Sequence, residues 1–285
     1  MLYGLSYAGA DKEYMESEVF LFGVRYDHTS SFKAGSREGP DAIRRASYNF
    51  EEIHFEHGID QYRPLVHDYG NVDDFVLSED MISEVEFTVT PAVNDGKFIV
   101  AIGGEHSINI PVIRSFPKDI SLISIDAHLD SRDEYLGTPY SHACITRRAM
   151  EHLGSDNVWV VGARAIGAEE LEHEEPVNFI SSYEVLENGI ENAMKTILDE
   201  IGNERIYITL DIDGIDPAYA PGTGTPEPFG LLPIDVKKAI NMVGDRLCGF
   251  DVTEVSPPYD PSGITSILAS RFINEAIAVY GKGLR

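Results

Sequence analysis

Six short apolar runs punctuate the chain: Val19–Val24, Phe98–Ile102, Ile120–Ile125, Val158–Val161, Ile206–Leu210 and Leu247–Val252. Each is continuous rather than alternating, the pattern of strands buried on both faces of a parallel sheet. Between them lie segments with helical patterning, predicted at Asp41–Phe50, Met81–Asn94, Ser141–Leu153, Ser182–Ile201, Pro233–Val243 and Gly263–Tyr280. Pro40 precedes the first of these as a first-turn proline. In the fourth, Ile190, Ala193, Met194, Ile197, Leu198 and Ile201 fall on one helical face. Strand–helix alternation of this length predicts an α/β protein of three layers with a mostly parallel central sheet. No repeat, low-complexity tract or composition break divides the chain, so residues 1–285 are read as one domain.

In such sheets ligands gather at the carboxyl ends of the strands, so the residues after each apolar run matter most. Gly103-Gly104-Glu105-His106-Ser107 follows one run and Asp126-Ala127-His128-Leu129-Asp130 the next. Asp211-Ile212-Asp213-Gly214-Ile215-Asp216-Pro217 and Asp251-Val252-Thr253-Glu254-Val255-Ser256-Pro257 close two more. Four strand ends thus carry acids or histidines to one edge. Residues two apart on a strand share a face, with Cα atoms roughly 6–7 Å apart, so Asp126 with His128, and Asp211 with Asp213, can serve one cluster. Asp130 is different, because four extended residues would carry it about 13 Å from Asp126. For Asp130 to join, the chain must curl after His128, and that curl is expected.

Charge then asks for metal. Asp126, Asp130, Asp211 and Asp213 packed together raise one another's pKa and destabilise the fold unless cations neutralise them. Two divalent ions would cancel the four charges, and His106 and His128 complete a set of six. Mostly hard oxygen donors suit Mn²⁺, with Zn²⁺, Co²⁺ or Ni²⁺ as alternatives. Asp216, before a proline, is expected to shape a turn.

The composition changes the picture only in part. The chain has 285 residues, 43% hydrophobic, with a formal net charge of −26. That charge excludes a phosphate-binding basic surface and hence nucleic acid as a partner. It fits either a solvated acidic surface or a cationic substrate drawn in by the protein's field. No apolar run is long enough to span a bilayer, and Met1–Asp11 lacks the pattern of a signal peptide. Two cysteines, Cys144 and Cys248, make neither a disulfide framework nor a zinc ribbon, so a reducing cytoplasm is the expected setting.

Gly103–Ser107, Ser124–Asp130, Thr209–Pro217 and Glu254–Pro257, together with Ala220–Pro226, resemble the signature blocks of the ureohydrolases, the arginase/agmatinase family. The resemblance runs from about Leu21 to Tyr280. It implies an arginase-type α/β/α fold with a binuclear Mn²⁺ centre and a trimeric or hexameric homo-oligomer. It implies His106, Asp126, Asp130 and Asp211 around one ion and Asp126, His128, Asp211 and Asp213 around the other. Glu105 departs from the Asp that many members carry before the histidine.

The reaction implied is attack of an activated water on a guanidinium carbon, releasing an amine and urea. His142, in Tyr140-Ser141-His142-Ala143-Cys144, is the candidate proton shuttle. Glu254 is the candidate partner for the guanidinium, and Asp130 doubles as a hydrogen-bond acceptor for the nucleophile. Residues 131–140 do not resemble the carboxylate-binding loop of animal-type arginases, and no acid follows Gly162-Ala163-Arg164 until Glu169 and Glu170. The Tyr-Ser-His-Ala-Cys segment looks like agmatinases, so agmatine, a small dication, is the substrate expected. Arginase, guanidinobutyrase and formimidoylglutamase activities are the alternatives, with a catalytically silent family member behind them. Arg132, with Arg147 and Arg148, keeps a carboxylate-bearing substrate in play. His28, His54, His57, His67, His152 and His173 have no such context and are read as surface or core histidines.

Overall fold

The structure is a computed structural model that describes residues 5–51, 53–60 and 65–283, so the first four residues of the Met1–Asp11 stretch lie outside it. The strands are β1 (Val19–Gly23), β2 (Ile53–His54), β3 (Ile59–Asp60), β4 (Val66–Asn71), β5 (Phe98–Ile102), β6 (Ile120–Ile125), β7 (Val158–Ala163), β8 (Asn178–Ser181), β9 (Arg205–Asp211) and β10 (Leu247–Thr253). The helices are α1 (Gly39–Ser47), α2 (Ser78–Asn94), α3 (Asn109–Ser115), α4 (Ile145–Leu153), α5 (Ala168–Leu171), α6 (Ser182–Asn188), α7 (Ile190–Glu200), α8 (Pro233–Val243) and α9 (Ile264–Gly283).

Eight strands form one sheet in the order β4-β1-β5-β10-β9-β6-β7-β8. Every pairing in it is parallel. The short β2 and β3 pair antiparallel by themselves. Each face of the sheet carries its own core. On one, Val19, Leu21, Val100, Ile208 and Phe250 pack against α1, α7, α8 and α9; on the other, Phe20, Phe22, Ile99, Leu122 and Tyr207 pack against α2, α3 and α4. This is the three-layer α/β/α arrangement expected, and all six apolar runs are strands of the sheet.

Both edge strands escaped the sequence reading. In β4 only Val66 is buried and in β8 no residue is, so neither shows an apolar run. An edge strand has one exposed flank and needs less apolar surface. The helix expected at Ser182–Ile201 is two helices, because Gly189 between α6 and α7 has φ 83°, a left-handed conformation that ends one helix before the next begins. Helix α3, seven residues long and carrying Pro111, was too short to show a period. Among the described residues no helix is long and apolar enough to cross a membrane.

Candidate metal centre

The four central strands β5, β10, β9 and β6 are neighbours, and the acids and histidines follow their carboxyl ends. Leaving β5, the chain turns tightly at Gly104, where a side chain would collide with the backbone of Tyr26. That close approach buries His106 completely. After β6 the chain does curl: Asp130 sits at φ 49°, a left-handed conformation uncommon for a residue with a Cβ. Glu254, at the end of β10, is likewise left-handed at φ 60°.

The curl brings all six expected side chains together. His106 Nδ1 lies 3.1 Å from Asp126 Oδ2, 3.2 Å from Asp130 Oδ2 and 3.5 Å from Asp211 Oδ2. His128 Nδ1 lies 3.3 Å from Asp213 Oδ2 and 3.6 Å from Asp126 Oδ1. The donors fall into two groups whose ligand atoms lie within 4.8 Å of one another, His106–Asp126–Asp130–Asp211 and Asp126–His128–Asp213. Asp126 belongs to both, whereas Asp211, expected to bridge as well, falls in the first group only.

The electrostatics are those of a site short of positive charge. Burial, with the charge of Asp126, pushes the Asp130 carboxyl up to about 7. Burial, with Asp213 and Asp126, raises Asp211 well above the usual carboxylate range. Burial and the nearby Glu105 do the same to Glu254. Burial alone would lower His106 and His128, but the surrounding carboxylates outweigh it and hold both well above an ordinary histidine. Asp126 Oδ2 is buried with no hydrogen-bond partner among the described residues. A carboxylate oxygen is seldom left so unless something else satisfies it. Divalent cations would satisfy that oxygen and reverse the repulsion, so the residues fit a metal pair.

Supporting groups that the sequence did not single out orient the donors. His106 Nε2 lies 2.9 Å from Thr209 Oγ1, which donates to Asp251 Oδ1 at 2.6 Å. With its one proton committed to Asp251, Thr209 accepts from Nε2–H, which turns His106 Nδ1 toward the acids as the ring atom that would ligate a cation. Thr29 works similarly on His142. Its hydroxyl donates to Glu105 Oε1 at 2.5 Å and lies 3.1 Å from His142 Nδ1, and it accepts from the His142 backbone N–H at 3.0 Å. Glu105 also accepts from the Thr29 N–H and the Ser107 hydroxyl. A threonine in an unremarkable loop gives no such signal in sequence; only the fold brings it to a histidine 113 residues away.

His142 and Glu254 line one pocket with Asp130, Asp211, Asp213 and His128. Burial, reinforced by His128 and His106, pushes the His142 imidazole down to about 4. Glu254 accepts the His106 backbone N–H at 2.9 Å. Asp216 accepts from the Ala218 and Gly230 N–H groups and shapes its turn, as expected. Arg164 is spent on backbone carbonyls, those of Asp213 and Glu227 at 2.7 Å among them.

The fold and sequence are shared with known proteins. A model of the arginase family matches residues 17–279. An agmatinase of Halalkalibacterium halodurans is 34% identical over 93% of this chain and 92% of its own. A guanidinobutyrase of Pseudomonas aeruginosa is 34% identical over 92% of this chain and 86% of its own. The crystal structure of the agmatine ureohydrolase of Thermoplasma volcanium superposes with a TM-score of 0.93 at 41% identity, covering 97% of this chain and 94% of that one. The chain therefore belongs to the arginase family, the ureohydrolases. Membership implies a binuclear metal site, and the two overlapping donor groups are the cluster present for it.

Proposed function

We propose that this protein hydrolyses agmatine to putrescine and urea, with a pair of Mn²⁺ ions held by His106, Asp126, His128, Asp130, Asp211 and Asp213. The observation that carries the reading is the convergence of those six side chains in two groups that share Asp126, with His128, Asp130, Asp211 and Asp213 lining the pocket that also holds His142 and Glu254. Two divalent ions supply a nucleophilic water at neutral pH. Glu254 receives the planar guanidinium, for which a carboxylate is the matching acceptor. His142 moves a proton to the departing amine. Its Nδ1–H points to Thr29, so the neutral ring keeps Nε2 free for that proton.

The pocket's surroundings favour a substrate without a carboxylate. Arg132 pairs with Glu169 at 2.8 Å, and Arg148 pairs with Glu151 at 2.9 Å. Arg147 is buried and bonded to the Ser131 carbonyl. Each of the three is already engaged by protein groups. A second reading, hydrolysis of an ω-guanidino acid such as guanidinobutyrate, is favoured by Lys33. Lys33 lines the pocket, lies 5.2 Å from the Phe32 and Tyr259 rings and makes no ion pair among the described residues.

Catalytic efficiency measured with Mn²⁺ on agmatine, arginine, guanidinobutyrate and formimidoylglutamate decides between them. Agmatine is expected to lead by at least about tenfold. A higher value for guanidinobutyrate that collapses in Lys33→Met would establish the second reading, and formamide release would overturn both.

A further inference from the structure

A second cluster of metal-ligating side chains lies away from the strand-end pocket. His54, on β2, and Glu275, on α9, are buried, and His57 is nearly so. Their ligand atoms all lie within 4.8 Å of one another. His54 Nε2 is 2.7 Å from Glu275 Oε2 and His57 Nε2 is 3.1 Å from Glu275 Oε1. The two imidazoles stack with centroids 4.6 Å apart and rings 26° from parallel, so both present Nε2 to the same carboxylate. Asn241 of α8 donates to Glu275 Oε1 at 2.6 Å and fixes its orientation. Glu56, in the same turn as the histidines, pairs with Lys237 of α8. Burial opposes a charge on Glu275, but the hydrogen bonds from His54 and Asn241 prevail and hold its pKa down to about 2.

We propose that His54, His57 and Glu275 form a separate mononuclear site for a borderline divalent cation, of which Zn²⁺ is the type. Two imidazoles and one carboxylate are a three-ligand set that zinc takes with a fourth position open. In a tetrahedral site with bonds near 2.0–2.2 Å the donors stand roughly 3.3 Å apart, so the two Nε2–carboxylate pairs, at 2.7 and 3.1 Å to different oxygens of Glu275, would open slightly to admit a cation. The open position faces a cavity of about 270 Å³ lined by His57, Asn241, Asp245 and Lys282. That cavity gives a cation entry from solvent and leaves water as the fourth ligand. Asp245 precedes the first residue of β10, whereas the acids of the other centre lie at or just beyond the last residues of β6 and β9. The cavity therefore stands at the opposite ends of the strands from the acid-rich centre, one strand length of roughly 20 Å away. At this site a cation ties the segment carrying β2 and β3 to helices α8 and α9; it has no access to the guanidine pocket.

The proposal is independent of the substrate reading, and its test reads a difference rather than a total. Full-length protein is stripped with chelator, reloaded with Mn²⁺, exposed to Zn²⁺ and desalted, and bound metal is counted for the wild type, His57→Gln and Glu275→Gln. The wild type is expected to hold one more ion per chain than either variant, and Zn²⁺ is expected to raise its melting temperature but not theirs. Both variants keep their urea-releasing activity, so loss of the ion is separable from failure of the other centre. Because Glu275→Gln risks misfolding, anomalous scattering at the zinc edge from crystals of the loaded wild type gives a second measurement. A peak between the two imidazoles and Glu275 supports the site. Equal metal counts in wild type and His57→Gln, or no peak there, overturns it.

Discussion

The strand-end centre and the His54–His57–Glu275 cluster are built from the same residue types in different charge balance. The first packs four aspartates around two histidines and leaves Asp126 Oδ2 without a hydrogen bond. The second sets one carboxylate against two imidazoles and an amide, and every donor atom already has a partner. Like charges in a buried site are costly unless cations offset them, so the first is a site that folds toward metal, while the second is stable with protons in the metal's place. The contrast also separates roles. The acid-rich centre opens on a pocket that also holds His142 and Glu254, the proposed proton shuttle and guanidinium acceptor; the other opens on a cavity lined by His57, Asn241, Asp245 and Lys282.

The largest expected effect falls where the acids are most crowded. Asp126→Asn removes the carboxylate common to both donor groups and should lower kcat/KM by more than about 10³-fold, or about 4 kcal/mol, with bound metal lost in parallel. Normal metal content in that variant would break the comparison. His142→Ala should lower kcat by about 10²–10⁴-fold while metal content stays at the wild-type level; an unchanged rate removes the shuttle. Thr209→Val frees the His106 tautomer and should weaken metal binding by about 10–100-fold, read from the Mn²⁺ concentration that restores half of the activity. An unchanged Mn²⁺ requirement would show that the Asp251–Thr209 chain does not orient the ligand.

A smaller effect comes from pH. In the metal-free chain, Asp130 is raised to about 7 and Asp211 is raised as well. A carboxyl raised above its unfolded value binds its proton more tightly when folded. Its contribution is present below the unfolded value, near 3.9, and is lost as pH climbs toward 7. The melting temperature of stripped protein should therefore fall further behind that of Mn²⁺-loaded protein between pH 5 and pH 7. A gap that narrows over that window contradicts the charge argument.

The two regions also differ in what their sequence discloses. The strand-end centre was legible because each ligand directly follows an apolar run, and because a parallel sheet aligns the ends of its strands. Even the curl at Asp130 followed from requiring that residue to reach the others. What escaped was the part whose contacts cross the chain without a local pattern. Thr29 and Thr209 carry no signal of the histidines they orient. His54 meets Glu275 across 221 residues, and from sequence it is one histidine among several with no context. The edge strands β4 and β8 were missed for a related reason, since half-buried polar strands resemble loops.

Guanidine hydrolysis is proposed to depend on cations held by these aspartates and histidines. Urea released from agmatine by chelator-stripped protein, followed as Mn²⁺ is returned, tests that dependence most directly. Release should be absent from the stripped protein and climb to a plateau as the metal is restored. Undiminished release without divalent cation would contradict the account.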